Sequence, residues 1–313
     1  MAAAIQTPAP PKTAGLTGYL DRLPEFWQTP TRALHDLYAV LLISAVCAVT
    51  AFTGAAHTKL FGHDIFLLLD GGWRVLNGQR PSVDFSPGTG PLLPLIMAAG
   101  LKLAGNSVRG VGYASALFGA AVGFWSYALA RKRMPWTPAI LLALLLTLIA
   151  VAPYPLGWLP NVLSHAMLYN RYGYALLGIV VLDSFDPEHK TSLGAVSTGI
   201  LCAALLFLKP SFGLVALAFA FCSVLLDLRN RWRIIGILFG LTCAGLAMMA
   251  WLRFDFVAVW NNFQLLAGAK SAGISLWQIR WAVFQGLPDF AWLALLAVLA
   301  TGAFKPIHFA IVV

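Results

Sequence analysis

From Leu37 to Ala55 no side chain carries a formal charge, and the same is true from Gly110 to Ala130. About 20 apolar residues at a rise of ~1.5 Å each reach across the ~30 Å hydrocarbon core of a bilayer. A segment in lipid must satisfy its backbone hydrogen bonds internally, so runs of this kind fold as helices. Composition agrees: 59% of the 313 residues are hydrophobic and only 11% are charged, whereas soluble domains carry about 25% charge. The expected fold class is therefore an all-α polytopic membrane protein. The net charge of +9 comes from basic turns rather than a basic face. That excludes nucleic acid as a partner and leaves membrane lipids. Cys47, Cys202, Cys222 and Cys243 all lie inside apolar runs and read as small packing residues, not as a disulfide framework or metal motif.

Residues 1–33 read as a cytoplasmic tail, Pro-rich and disordered at first. Leu16 to Trp27 either continues that tail or lies along the membrane surface. No short apolar core with a cleavage site is visible, so the first span, 34–55, is expected to act as the signal anchor. A first outer loop, 56–107, follows. Within it Pro91 to Ala104 is apolar but about fourteen residues long, short of the ~17 that a span requires. If this piece does not cross, the next spans are 108–130, 136–152, 169–184, 193–208, 211–228, 234–251 and 288–304. The basic turns Arg131-Lys132-Arg133, His189-Lys190, Arg229 to Arg233 and Lys305 then all fall on the cytoplasmic side with the N-terminal tail, as the positive-inside rule demands. The expectation is eight spans in one domain, 34–313, with Pro91 to Ala104 as a re-entrant or juxtamembrane helix. Both ends would be cytoplasmic, in a bacterial inner membrane. Segments 56–107, 153–168, the turn at Lys209 and 252–287 would face the other side.

The stretch His63 to Leu95 is the long segment rich in charge, Gly and Pro. Asp64 to Asn77 reads as an amphipathic helix, with Asp70, Arg74 and Asn77 on one face at spacing i, i+4, i+7. Gly78 then ends it as a C-cap. Asp64 is either an N-cap or a general base at the membrane surface, and the two roles are compatible. Asp70 and Arg74 form an i, i+4 pair, either solvated or functional. Asp84 either holds the loop through Arg80 or serves as a second carboxylate in a metal site.

Farther on, Asn170-Arg171 sits where an outer loop enters a span. Arg171 either binds a phosphate or carboxylate bidentately or snorkels among belt tyrosines. Lys209 sits in an outer turn against the cytoplasmic bias of basic residues. It is expected to pair with Asp64 or Asp70 or to hold a lipid phosphate. His63 and His165 read as plain polar contacts.

Asp64 after the first span, the amphipathic helix, the stretch GQRPSVDF, the Pro/Gly turn and PLLPL together resemble the first outer loop of the C superfamily of glycosyltransferases. These are polyprenyl-phosphate-sugar-dependent membrane enzymes that include protein mannosyltransferases and aminoarabinose transferases. The resemblance is specific over residues 34–130 and looser over 130–305. It implies that Asp64 is the base that activates the acceptor and that a polyprenyl-phosphate-linked sugar is the donor. The acceptor would be a glycan, lipid or protein. Ile65 stands where protein mannosyltransferases often have a second acidic residue. No cofactor is fixed by the resemblance, and a divalent cation is the one left open. Family members are commonly longer, so the chain is expected to be a compact relative or C-terminally incomplete.

The resulting expectation is transfer of a sugar at the non-cytoplasmic face. Asp64 is the catalytic base, and Arg171 and Lys209 hold the donor phosphate. Asp70, Arg74, Arg80, Asp84 and Asn170 shape the loop or bind sugar hydroxyls. The alternative is a non-catalytic polytopic protein for lipid-linked glycan transport or polysaccharide assembly. That role would place ionisable residues along a path through the spans.

Overall fold

The computed structural model describes residues 32–54, 61–153, 164–165, 167–184, 192–226 and 231–271. The expected tail up to Thr31, the turn at His189-Lys190, Arg229, Lys305 and the span 288–304 lie outside the described residues. These residues form ten helices and no strand. They are α1 (Arg32–Thr53), α2 (Gly62–Leu76), α3 (Leu92–Leu103), α4 (Gly110–Ala130) and α5 (Trp136–Val151). Then come α6 (Leu168–Ser184), α7 (Ser192–Leu208), α8 (Pro210–Leu226), α9 (Arg231–Trp251) and α10 (Phe256–Ser271).

Three stretches, Ala33–Thr53, Gly110–Ala130 and Trp232–Trp251, are long and apolar enough to cross a membrane. Trp136–Val151, Gly194–Leu208 and Pro210–Leu225 are apolar but shorter. Of the eight expected spans, the structure thus bears out three by length and composition. Large apolar side chains cover the outer faces of α1 (Leu37, Leu41, Val49, Phe52) and α9 (Trp232, Leu238, Phe239) and are exposed. Apolar patches on that scale are stable only against an apolar surrounding or partner.

The two ends of the bundle differ in chemistry. At one end Arg131 pairs with Asp36 at 2.7 Å, and the Tyr127 hydroxyl donates to the same carboxylate at 2.9 Å. This ties the start of α1 to the end of α4. Arg133 pairs with the buried Asp183 at the end of α6, and Thr198 of α7 donates to Asp183 at 2.7 Å. Arg233 at the start of α9 donates to the carbonyls of Asp183 and Ser184 at 3.1 and 2.9 Å. The basic residues of two expected turns, Arg131 to Arg133 and Arg233, therefore gather with the N-terminus of α1.

At the opposite end, Gly54 after α1 lies against the Arg109 side chain just before α4. The segment from α1 to α4 therefore leaves and re-enters the bundle at one end, with α2 and α3 between. At 12 residues, α3 is about 18 Å long and does not run the length of α4. It packs on α2, α4 and α7. Glycines permit the contacts: a Cβ on Gly72 of α2 would collide with the Met97 backbone, and one on Gly100 of α3 would collide with Gly110 and Ala114. The main core lies beneath, built from Met97, Val111, Tyr172, Ile179, Leu201 and Leu205.

Candidate functional site

α2 begins at Gly62 after Phe61, whose backbone is left-handed (φ 57) and whose side chain makes no capping bond. Asp64 is therefore the third helical residue, not the N-cap that the sequence suggests. An acid there still faces the positive end of the helix dipole. Its carboxylate is fixed from two sides. The backbone N–H of Met167 donates to Oδ2 at 3.1 Å, and His63 Nε2 lies 3.1 Å from Oδ1. Met167 immediately precedes α6, so the first turn of α2 is clasped to the start of α6.

The C-terminal end of α2 follows the expectation closely. Gly78 takes φ +84 and donates to the Val75 carbonyl, while Gln79 donates to Arg74. That is the double bond of a Schellman ending, which glycine adopts without a Cβ penalty. Arg74 Nε donates to Asp70 Oδ2 at 2.7 Å, and its guanidinium lies 5.3 Å from the Phe85 ring centre. The expected pair exists, and its arginine also covers the loop.

Asp84 does hold the loop through Arg80. Its Oδ2 accepts from the Arg80 backbone N–H at 2.7 Å and from Nε at 3.1 Å, and Oδ1 accepts from the terminal nitrogen at 3.1 Å. The Arg80 side chain, then its backbone N–H, hold the Asp84 carboxyl below the usual carboxylate range, and Asp84 in turn pushes the guanidinium up. Both Asp84 oxygens are thereby committed. Among the described residues no three His, Cys, Asp or Glu side chains converge as metal donors.

Asn262 of α10 was not singled out by sequence reasoning as a site residue. It is buried, its amide nitrogen donates to Ser82 Oγ at 3.1 Å, and its amide oxygen accepts from Ser86 Oγ at 2.7 Å. No local signal marks it, because its partners lie 176 and 180 positions away. Gly90 closes the loop by donating to the Leu208 carbonyl at 2.9 Å.

These elements enclose a cavity of about 420 Å³. Asp64, Asp70, Ser86, Thr89, His165 and Tyr169 are its polar lining among the described residues, with Met97 and Phe85 among its apolar walls. The volume falls within the ~300–1,000 Å³ of small-molecule sites. His165 is buried at the wall, where the sequence suggested only a plain polar contact.

Lys209, in the turn between α7 and α8, donates to Asn170 Oδ1 at 2.8 Å. Its ammonium lies 4.7 Å from the centre of the Tyr169 ring, whose residue lines the cavity. Lys209 and Asn170 are thus brought together behind one cavity wall. Arg171 is 2% exposed, and its three guanidinium nitrogens have no hydrogen-bond partner among the described residues. The snorkelling alternative is ruled out by that burial. A buried, unsatisfied guanidinium costs several kcal/mol, on the order of 1–3 or more per group, unless an anion meets it.

An all-helical bundle with a carboxylate-bearing cavity under a pinned loop is the class that fold and site define. No protein-family model, curated protein or solved structure matches the chain.

Proposed function

We propose that the protein is a multi-pass membrane glycosyltransferase resembling the C superfamily. It would take a sugar from a polyprenyl-phosphate donor and pass it to a glycan, lipid or protein acceptor. In this reading the bundle has about eight spans and sits in a bacterial inner membrane. The end rich in arginine is cytoplasmic, and the cavity opens on the other side.

The observation that carries the reading is the placement of Asp64. Its carboxylate lines the cavity and is oriented by the residue just before α6. The same helix start supplies Asn170, which meets Lys209, and the buried Arg171, unsatisfied among the described residues. In the proposed reaction an acceptor hydroxyl loses its proton to Asp64 as its oxygen bonds to the anomeric carbon. The bond from that carbon to the phosphate oxygen breaks, and the electron pair leaves on the lipid phosphate. The configuration inverts. Neither Arg171 nor Lys209 lines the cavity, but from behind the wall at Tyr169 and from the start of α6 they would offset charge that grows on the leaving phosphate, where fixed donors in a dry site act most strongly.

Asp70, Arg74, Arg80 and Asp84 shape the loop over the cavity. A transport role would favour ionisable residues along a path. Among the described residues the ion pairs instead gather at the two ends.

The test is sugar transfer by the purified chain in lipid, from a panel of labelled polyprenyl-phosphate sugars to a membrane-extract acceptor. Transfer from at least one donor is the expected result. No transfer from any donor, with the protein folded, would remove the enzymatic reading.

A further inference from the structure

Of the six polar residues that line the cavity, His165 and Tyr169 can donate as well as accept, and the other four present acceptors. Asp64 and Asp70 are carboxylates and accept only. Ser86 spends its one proton on Asn262 Oδ1, and Thr89 spends its own on the Gly90 carbonyl at 3.3 Å. Both hydroxyls therefore offer lone pairs to anything inside. The sign of charge is equally one-sided, since the described lining contains two carboxylates and no Lys or Arg. Arg74 neutralises Asp70 overall but does not line the cavity, so the pair presents its negative end.

We propose that this cavity selects a hydrogen-bond-donor-rich, polyhydroxylated group that is neutral or carries an amine, and rejects one that carries a carboxylate. The proposal rests on the glycosyltransferase reading, in which that group is the sugar of the donor. Hydroxyl and ammonium protons meet the acceptors of Asp64, Asp70, Ser86 and Thr89. A uronate would bring a third carboxylate against two. Like charges a few ångströms apart in a partly dry site repel enough to weaken binding by about tenfold or more.

The experiment uses the full chain in nanodiscs of zwitterionic lipid. Three short-chain polyprenyl-phosphate sugars, a hexose, a hexosamine with a free amine and a hexuronate, compete with a labelled polyprenyl-phosphate hexose for binding. All three carry the same phosphate and lipid, so those contributions cancel. The hexosamine is expected to compete at least as well as the hexose, and the hexuronate about tenfold or more weakly than the hexose. The gap should narrow at high salt, because Asp70 is half-exposed and screened, and should narrow in Asp70→Asn. Equal competition by the hexuronate, or a gap indifferent to both salt and Asp70→Asn, overturns the proposal. Selective binding without transfer from any donor would leave this inference standing and remove the enzymatic reading. Transfer from hexuronate as efficient as from hexose would do the reverse.

Discussion

Met167 donates its backbone N–H to Oδ2 of Asp64 at 3.1 Å, across 103 positions of the chain. The bond joins the helix that bears the proposed base to the helix start that bears Asn170 and Arg171. Because the donor is a main-chain group, the bond depends on which acceptor stands at position 64. Asp64→Asn retains such an acceptor and is expected to melt within about 1 kcal/mol of the parent. Asp64→Ala removes it and should lose about 1–3 kcal/mol. Thermal unfolding in detergent compares the two.

Acid should loosen the loop at a defined place. Arg80 holds the Asp84 carboxyl below its ordinary range, so the folded value lies below the unfolded one. The pairing then contributes stability at pH above about 4 and loses it as pH falls through the folded value. Hydrogen-exchange protection of the Arg80 amide, which donates to Asp84, should fall in that acid window. In Asp84→Asn it should be low already at neutral pH, with no further acid-dependent step.

Gly90 lies against the end of α7 so closely that a Cβ there would overlap the Phe207 carbonyl oxygen. Backbone cannot yield as a flexible side-chain tip can. Gly90→Ala is expected to cost about 1–3 kcal/mol and to weaken donor binding, because the loop wall at Ser86 to Thr89 would shift. Gly88 meets nothing within 4 Å but has φ +67. Gly88→Ala should cost only the backbone strain, about 1 kcal/mol. Melting curves for both variants rank the two effects.

At the other end of the bundle Asp183 is buried and receives Arg133, Thr198 and, through its carbonyl, Arg233. Removing one partner of a buried ion pair costs about 3–5 kcal/mol, whereas replacing both by apolar groups is often neutral. Asp183→Ala should therefore destabilise strongly, and adding Arg133→Met should recover much of the loss. A double-mutant cycle on melting stability measures the coupling.

Local chemistry was legible in the sequence wherever partners are near in the chain. The Asp70–Arg74 pair follows from i, i+4 spacing, the helix end from Gly78, and the Arg80–Asp84 ring from a short turn. The grouping of Arg131, Arg133 and Arg233 at one end follows from charge placement between apolar runs. Other features depend on contacts that no local pattern encodes. Phe61 turns the chain through a left-handed residue, which shifts the start of α2 and moves Asp64 from cap to third position. Asn262 finds Ser82 and Ser86 only once α10 is folded against the loop. The sequence marks His165 only as a plain polar contact, and its place in the cavity wall depends on how α2, α3 and the start of α6 meet.

The central claim is that the Asp64 carboxylate takes a proton during sugar transfer. Asp64→Asn preserves shape and the Met167 contact but cannot serve as a base. The decisive measurement is the transfer rate of this variant in lipid, with binding of the polyprenyl-phosphate sugar measured on the same preparation. The account predicts donor binding within a few-fold of the parent and a rate lower by about 10²–10⁴-fold. Transfer at the parental rate by a folded Asp64→Asn protein would contradict it.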